Sequence, residues 1–350
     1  MITVQPLDIG RTVTLGAPVV SPDGTWVAFT VRRVDLEGNR YRSAVWLAAA
    51  DGSSPPYQLT AGEHGDSGPV WSPDGSRLAF TTGRGEDVEG AALRIVPIGG
   101  PGETVTLCER VEAISEVAWS PDGARIAFVS RERTGRYAAA DDRSRGPRRI
   151  DRLFTRVDGA GWIVDRPSSV FVIAADGSGP ARIVAGGPYE HGGPAWSPDS
   201  RTLAVSAARE PDWDLGITTD IYLVDADDTD AVPRLLTGAS TLGHSRPVFD
   251  ATGTRIVTLS QDQLVEPGHS YPTVLDARTG AERVLGTSLD RNCGPIGAGP
   301  PVWDDEDLLV GVEDRGAVHL YRVGTGPDAL PQRVLDGERV ISGVHRAGGT

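Results

Sequence analysis

Residues 70–81 read VWSPDGSRLAFT, and the same plan occurs as VVSPDGTWVAFT at 19–30, AWSPDGARIAFVS at 118–130 and AWSPDSRTLAVS at 195–206. It decays to VFDATGTRIVTLS at 248–260 and VWDDEDLLVGV at 302–312. Each copy is a short strand ending in an aromatic residue, a tight turn, and a second strand. Pro fixes φ at the second turn position, the Asp carboxylate accepts from nearby backbone N–H groups, and Gly tolerates positive φ. The turn residues are therefore Asp23, Asp74, Asp122 and Asp199, with Gly24, Gly75 and Gly123. In the strand that follows, Leu78 and Phe80, or Ile126 and Phe128, alternate with Ala79 and Ala127. Period-2 alternation sends the large residues toward one neighbouring sheet and the small ones toward the other.

Working outward, a third strand recurs at 44–52, 92–100, 169–177, 220–228 and 319–326, and a fourth at 57–62, 103–109, 181–187, 233–239, 282–288 and 332–338. Four strands in roughly 50 residues is the period of a propeller blade. The expected fold is all-β: a lead-in over 1–16, then a β-propeller over 17–350 with repeats starting near 18, 69, 117, 194, 247 and 301. Residues 344–350, VHRAGGT, align with VFDATGT at 248–254, so a seventh repeat begins at 343. An open blade exposes an unpaired edge, which leads to the expectation that the chain is the front part of a longer polypeptide.

Composition limits the chemistry. The formal net charge is −14, which disfavours nucleic acid and anionic membrane as partners. Every one of the 34 basic residues is arginine, so a Walker phosphate loop, which needs its lysine, is excluded. Cys108 and Cys293 lie far apart and form neither a C-x-x-C zinc pair nor a disulfide framework. The expectation is a cytoplasmic protein with reduced thiols and no cofactor.

No catalytic constellation emerges. GDSGP at 65–69 resembles a trypsin-like nucleophile loop, but it lacks the following Gly and the well-separated upstream His and Asp, so Ser67 reads as part of a blade-entry loop. GHSRP at 243–247 and GHSYP at 268–272 lack the last Gly of a hydrolase elbow and read as loops. GPIGAG at 294–299 reads as a connector, without the strand–turn–helix setting of a dinucleotide loop. His64, His191 and His244 read as one recurring position that stabilises blade entry, rather than a metal ring shared across three blades. The acidic runs at 225–230 and 304–307 lack the spaced ligands of a calcium loop and read as solvated blade tips.

One segment departs from the repeat. Residues 131–166 carry ten arginines against six acids, about +4 on an acidic chain. RRIDRLFTRV alternates, turns at Asp158-Gly159 and returns through Trp162, which predicts a β-hairpin inserted in the third repeat. Arginines beside an aromatic suit carboxylate recognition or docking of an acidic partner.

The WSPDG repeats, with RRIDRLFTRVDGAGWIVDR and SVFVIAADG in the third, resemble the N-terminal propeller of the prolyl oligopeptidase family, acylaminoacyl-peptidase branch. The resemblance implies a seven-bladed propeller that gates access to an α/β-hydrolase domain with a Ser-Asp-His triad and helps position peptides. It also implies that Arg148, Arg149, Arg156, Asp158 and Trp162 lie near the domain interface or peptide cavity. No hydrolase domain is present in the chain, so the chain alone is expected to be inactive. Its expected partners are such a domain, in the same polypeptide or in trans, and peptides. The repeats are also shared with TolB-like propellers, which leaves a free-standing protein-binding scaffold as the alternative.

Overall fold

The computed structural model describes residues 5–83, 90–100, 102–139, 141–158, 160–210, 213–215, 218–265, 267–295 and 297–347. Six antiparallel sheets form the blades of a propeller ring. Blade 1 spans residues 13–58 and has a split innermost strand, Val13–Leu15 and Val19–Val20, both paired with Trp26–Asp35. Blades 2 to 6 each have four strands in chain order, with innermost strands Ser67–Trp71, Ile114–Trp119, His191–Trp196, Leu242–Phe249 and Val302–Asp304. The third strand of repeat 5, absent from the sequence expectation, is Tyr271–Asp276. Four short 3-10 helices complete the described structure, and none is long and apolar enough to cross a membrane.

The turns form as their chemistry predicts. Asp74 Oδ1 accepts from Ser72 Oγ at 2.6 Å and from Ser76 N at 3.1 Å, and Asp122 and Asp199 repeat the arrangement. The Ser72 hydroxyl and the Ser76 donors hold the Asp74 carboxyl down to about 2. Gly24, Gly75 and Gly123 sit at φ of 75°, 71° and 69°. Ser200 takes the same left-handed position in blade 4 at 63°, and its hydroxyl accepts from Asp122 N of blade 3 at 3.0 Å. An inter-blade hydrogen bond offsets the strain there.

Large and small residues separate as expected. Leu78 and Phe80 pack with Val45 and Leu47 of blade 1, while Ala79 faces Ile126 and Phe128 of blade 3. Five apolar clusters of this kind join consecutive blades from the first to the sixth. A polar latch crosses the same seams. Trp71, Trp119, Trp196 and Trp303 each donate Nε1–H to a carbonyl of the preceding blade, on Val19, Val70, Ala118 and Val248, at 3.0 to 3.1 Å. The exception is blade 5, whose aromatic at this position is Phe249 and has no N–H to donate to blade 4. Arg77, Arg125 and Arg255 stack over the indoles of Trp119, Trp196 and Trp303 at 4.9, 5.1 and 4.8 Å. Where Phe249 replaces Trp, Thr202 replaces the partner Arg, so both halves of the latch are missing together.

Residues 340–347 touch the sixth and first blades. Val340 bridges Val318 in parallel, His345 Nδ1 accepts from Val20 N at 3.2 Å, and Arg346 Nε pairs with Asp304 at 3.0 Å. Residues 348–350 of the expected seventh repeat lie outside the described residues.

Three local expectations change. GHSRP at 243–247 is not a loop: it lies within the innermost strand Leu242–Phe249, where a bulge accommodates it. Ser67 likewise opens a strand and bonds Thr81 Oγ1 at 3.2 Å. Asp304 is not a solvated tip, because Arg322 and Arg346 cover it and leave its side chain 10% exposed.

Candidate ligand-binding channel

The innermost strands line the middle of the ring, and their irregularity shapes it. In blades 2 to 5 the register shifts between Ser67 and Val70, Ser115 and Ala118, Gly192 and Ala195, and Ser245 and Val248. Each bulge holds one left-handed residue: Gly68 at 62°, Glu116 at 51°, Gly193 at 63° and Arg246 at 53°. Glycine suits that conformation, and two blades instead carry charged side chains of opposite sign. Three cavities adjoin these bulges, of about 770 Å³ against blades 1 to 3, 560 Å³ against blades 3 and 4, and 620 Å³ reaching blades 3 to 6. Glu116 lines all three.

The arginine-rich insertion stands beside the second cavity, which Ala160 helps to line. Its hairpin pairs Arg156–Val157 with Gly161–Trp162, and Gly159 of the predicted turn lies outside the described residues. The arginines are largely engaged within the chain. Asp165, whose side chain has no exposed area, accepts from Arg148 Nε at 2.7 Å and Arg166 Nε at 2.9 Å. Burial opposes its ionisation, but Arg166 and Arg148 outweigh burial and keep its carboxyl below the usual range. Glu112 accepts from Arg166 at 3.1 Å and also pairs with Arg133. Arg131 makes a two-pronged pair with Glu190, at 3.0 and 2.8 Å. Arg148 stacks over Trp162 at 4.7 Å, with Arg156 at 6.0 Å from the same ring. Of the five residues singled out in the sequence, Arg148 and Trp162 are thus packed together, while Arg149, Arg156 and Asp158 are exposed. Exposed Ile150, Leu153 and Val157 alternate with them.

The three histidines do not share one position, although two of them do. Strand register matches His191 and His244 with Asp66 and Ile114, and His64 falls two residues earlier in an exposed turn. His191 is buried, and burial pushes it down to about 4, helped by Arg209. Its tautomer follows from its partners. Nδ1 faces the Ser168 carbonyl at 3.1 Å, which only accepts, and Nε2 faces Arg209 Nη1 at 2.8 Å, which only donates. The ring is therefore neutral with its proton on Nδ1. His244 is fully buried and lies 3.3 Å from Glu282, and burial lowers its pKa too.

Sequence reasoning missed Glu116 and Arg246. Superposing the repeats on their aromatic residues puts Gly68, Glu116, Gly193 and Arg246 in one column, where two charges replace glycine. Arg246 Nη1 donates to the carbonyls of Gly299 at 2.9 Å and Gly294 at 3.3 Å. Among the described residues, Glu116 accepts from Gly193 N alone.

No protein-family model matches the chain. In sequence it is 31% identical over 224 residues to the uncharacterized peptidase YuxL of Bacillus subtilis (strain 168), covering 62% of this chain and 33% of that protein. In structure it matches Pyrococcus horikoshii acylaminoacyl peptidase with a TM-score of 0.73 and 17% identity, over 96% of this chain and 48% of that one. The propeller domain of the Trilobed protease from Pyrococcus furiosus, described as having an open velcro topology, matches at 0.66 and 15% identity, over 96% of this chain and 88% of that domain. The fold is therefore that of peptidase propeller domains. The chain spans about a third of the curated relative and about half of the acylaminoacyl peptidase.

Proposed function

We propose that this chain is the propeller domain of a serine peptidase of the prolyl oligopeptidase type, and that it gates access of short peptides to an α/β-hydrolase domain outside this chain. The observation that carries the reading is the 31% identity with a peptidase over 224 residues. In this reading the propeller supplies no nucleophile; it supplies a ring whose innermost strands present apolar surface with polar groups set in it. Large folded substrates are excluded by size, and short extended peptides enter and are oriented by polar groups on the innermost strands. In this reading Arg149, Arg156 and Asp158, exposed on the insertion, face the hydrolase domain or the peptide. Arg148 and Trp162 hold the insertion in shape behind them.

The test is to express this propeller with the polypeptide that follows it in its gene, and to assay fluorophosphonate labelling and cleavage of short peptides against casein. The expected result is labelling outside residues 1–350, with peptide cleavage and poor casein cleavage. Labelling within this chain, or equal cleavage of casein and short peptides, would overturn the proposal.

A further inference from the structure

His191 is pinned to the third strand of blade 3 through Ser168. Its backbone N–H donates to Ser168 Oγ at 2.8 Å, the Ser168 hydroxyl donates to the His191 carbonyl at 2.9 Å, and the ring Nδ1–H donates to the Ser168 carbonyl at 3.1 Å. Nε2 accepts from Arg209 Nη1 at 2.8 Å. A second proton on the ring could go only to Nε2. There it would set one N–H against another and a cation against a cation, in a buried place.

Arg209 in turn clamps the entry of blade 4. Its guanidinium lies 4.9 Å from the Tyr189 ring and 5.6 Å from the Tyr222 ring, and Nη1 also reaches the Gly186 carbonyl at 3.5 Å. The connection 186–190, between the strands Arg182–Ala185 and His191–Trp196, is thereby held to the strand Asp220–Asp225. The same connection seats the arginine-rich insertion, because Arg152 Nη1 donates to the Pro188 carbonyl at 2.6 Å and Arg131 pairs with Glu190. A displaced Arg209 has carboxylates to turn to, since Glu210 and Asp220 line a cavity of about 390 Å³ with it.

The other charged groups around the ring are engaged elsewhere. Glu190 is paired with Arg131, Glu112 with Arg133 and Arg166, Glu116 takes Gly193 N, and Asp220 accepts from Thr237 Oγ1 at 2.7 Å. Arg209 is therefore the group that a proton on His191 would meet.

We propose that His191 and Arg209 form an acid-operated catch: a proton on Nε2 expels the guanidinium, frees the connection 186–190 and loosens the insertion seated on it. The catch works in the propeller itself, independently of the peptidase reading. The ring titrates at about 4 while clamped and at 6.5 once hydrated, so the released population grows about tenfold between pH 7.5 and pH 5.5.

Amide hydrogen exchange of the 350-residue chain, corrected for the intrinsic pH dependence of exchange, tests this. Wild type is expected to exchange about tenfold faster at pH 5.5 than at pH 7.5 in residues 186–191 and 148–157, while the strands Trp26–Asp35 and Arg77–Gly83 of blades 1 and 2 stay unchanged. His191→Gln keeps an acceptor for Arg209 and a donor for the Ser168 carbonyl but does not titrate, and is expected to remove the increase. Arg209→Met keeps an apolar stem beside the two tyrosines without the guanidinium, and is expected to exchange faster in the same two segments already at pH 7.5. No increase in wild type, an equal increase in every blade, an increase retained in His191→Gln, or unaltered exchange in Arg209→Met overturns the proposal.

Discussion

Replacing Trp196 with Phe and Arg125 with Met, singly and together, measures how firmly one blade is tied to the next. Trp196→Phe removes the 3.1 Å donation to Ala118 O, about 1 kcal/mol net, and a strip of apolar area contributing about 1 kcal/mol more. Arg125→Met removes the 2.5 Å bond to Ser200 O, about 1 kcal/mol, and the stack on the indole at 5.1 Å, about 0.5–1 kcal/mol. Its pair with Asp227 adds little, since that side chain is 68% exposed. Each single variant should therefore lose about 2 kcal/mol. Phe at 196 keeps a weaker platform than the indole, so part of the stack is lost in each single variant and the double variant should lose less than the sum by about 0.5 kcal/mol. Urea unfolding followed by far-UV circular dichroism reads all four proteins without depending on the altered tryptophan. A coupling under about 0.3 kcal/mol would show that the ring and guanidinium merely adjoin each other.

Other outcomes follow from the same geometry. Installing the missing latch with Thr202→Arg and Phe249→Trp should create a favourable coupling of about 0.5 kcal/mol between blades 4 and 5, measured by the same cycle. His191 sits near 4 in the folded protein against 6.5 when unfolded, so the unfolded chain takes up a proton first as pH falls. Stability should be unaffected by this group above about pH 6.5 and decline through the interval down to about pH 4, by up to about 3 kcal/mol. His191→Phe should flatten that slope in urea midpoints measured against pH, and an unchanged slope would refute the assignment. Arg148→Ala leaves Asp165 with Arg166 alone and should cost about 2 kcal/mol, read as a lower unfolding midpoint. Cys293 is buried, with burial pushing its thiol up to about 12, whereas Cys108 is only partly covered. A thiol reagent should therefore reach Cys108 in the folded protein and Cys293 only after unfolding.

The blades were legible because their signals are local. Ser, Asp and Gly of each turn interact within five residues, and strand alternation repeats over each copy, so nothing distant had to be known. The site was less legible because its determinants are pairings across the ring. Arg131 meets Glu190 and Arg166 meets Glu112 from 59 and 54 positions away, so a run that looks like free positive charge is largely neutralised in space. His64 was grouped with the other two by its neighbouring letters alone: it lies eight residues before Ser72, whereas His191 and His244 lie six before Ser197 and Asp250. Glu116 was overlooked because what sets it apart is a left-handed backbone angle within a bulge rather than its residue type.

The indole latches all point one way: the aromatic of each later blade reaches back to a carbonyl of the blade before it. During synthesis from the amino terminus, a blade therefore emerges without its latch and acquires it when the first strand of its successor leaves the ribosome. Closure would proceed as a ratchet, each tooth set by the next, until it reaches Phe249, which has no donor to give. Translation past that residue leaves blade 4 to be fastened without an indole, by apolar packing together with the Thr219 hydroxyl on the His244 carbonyl and the Arg234 guanidinium on the carbonyls of Ala277 and Arg278.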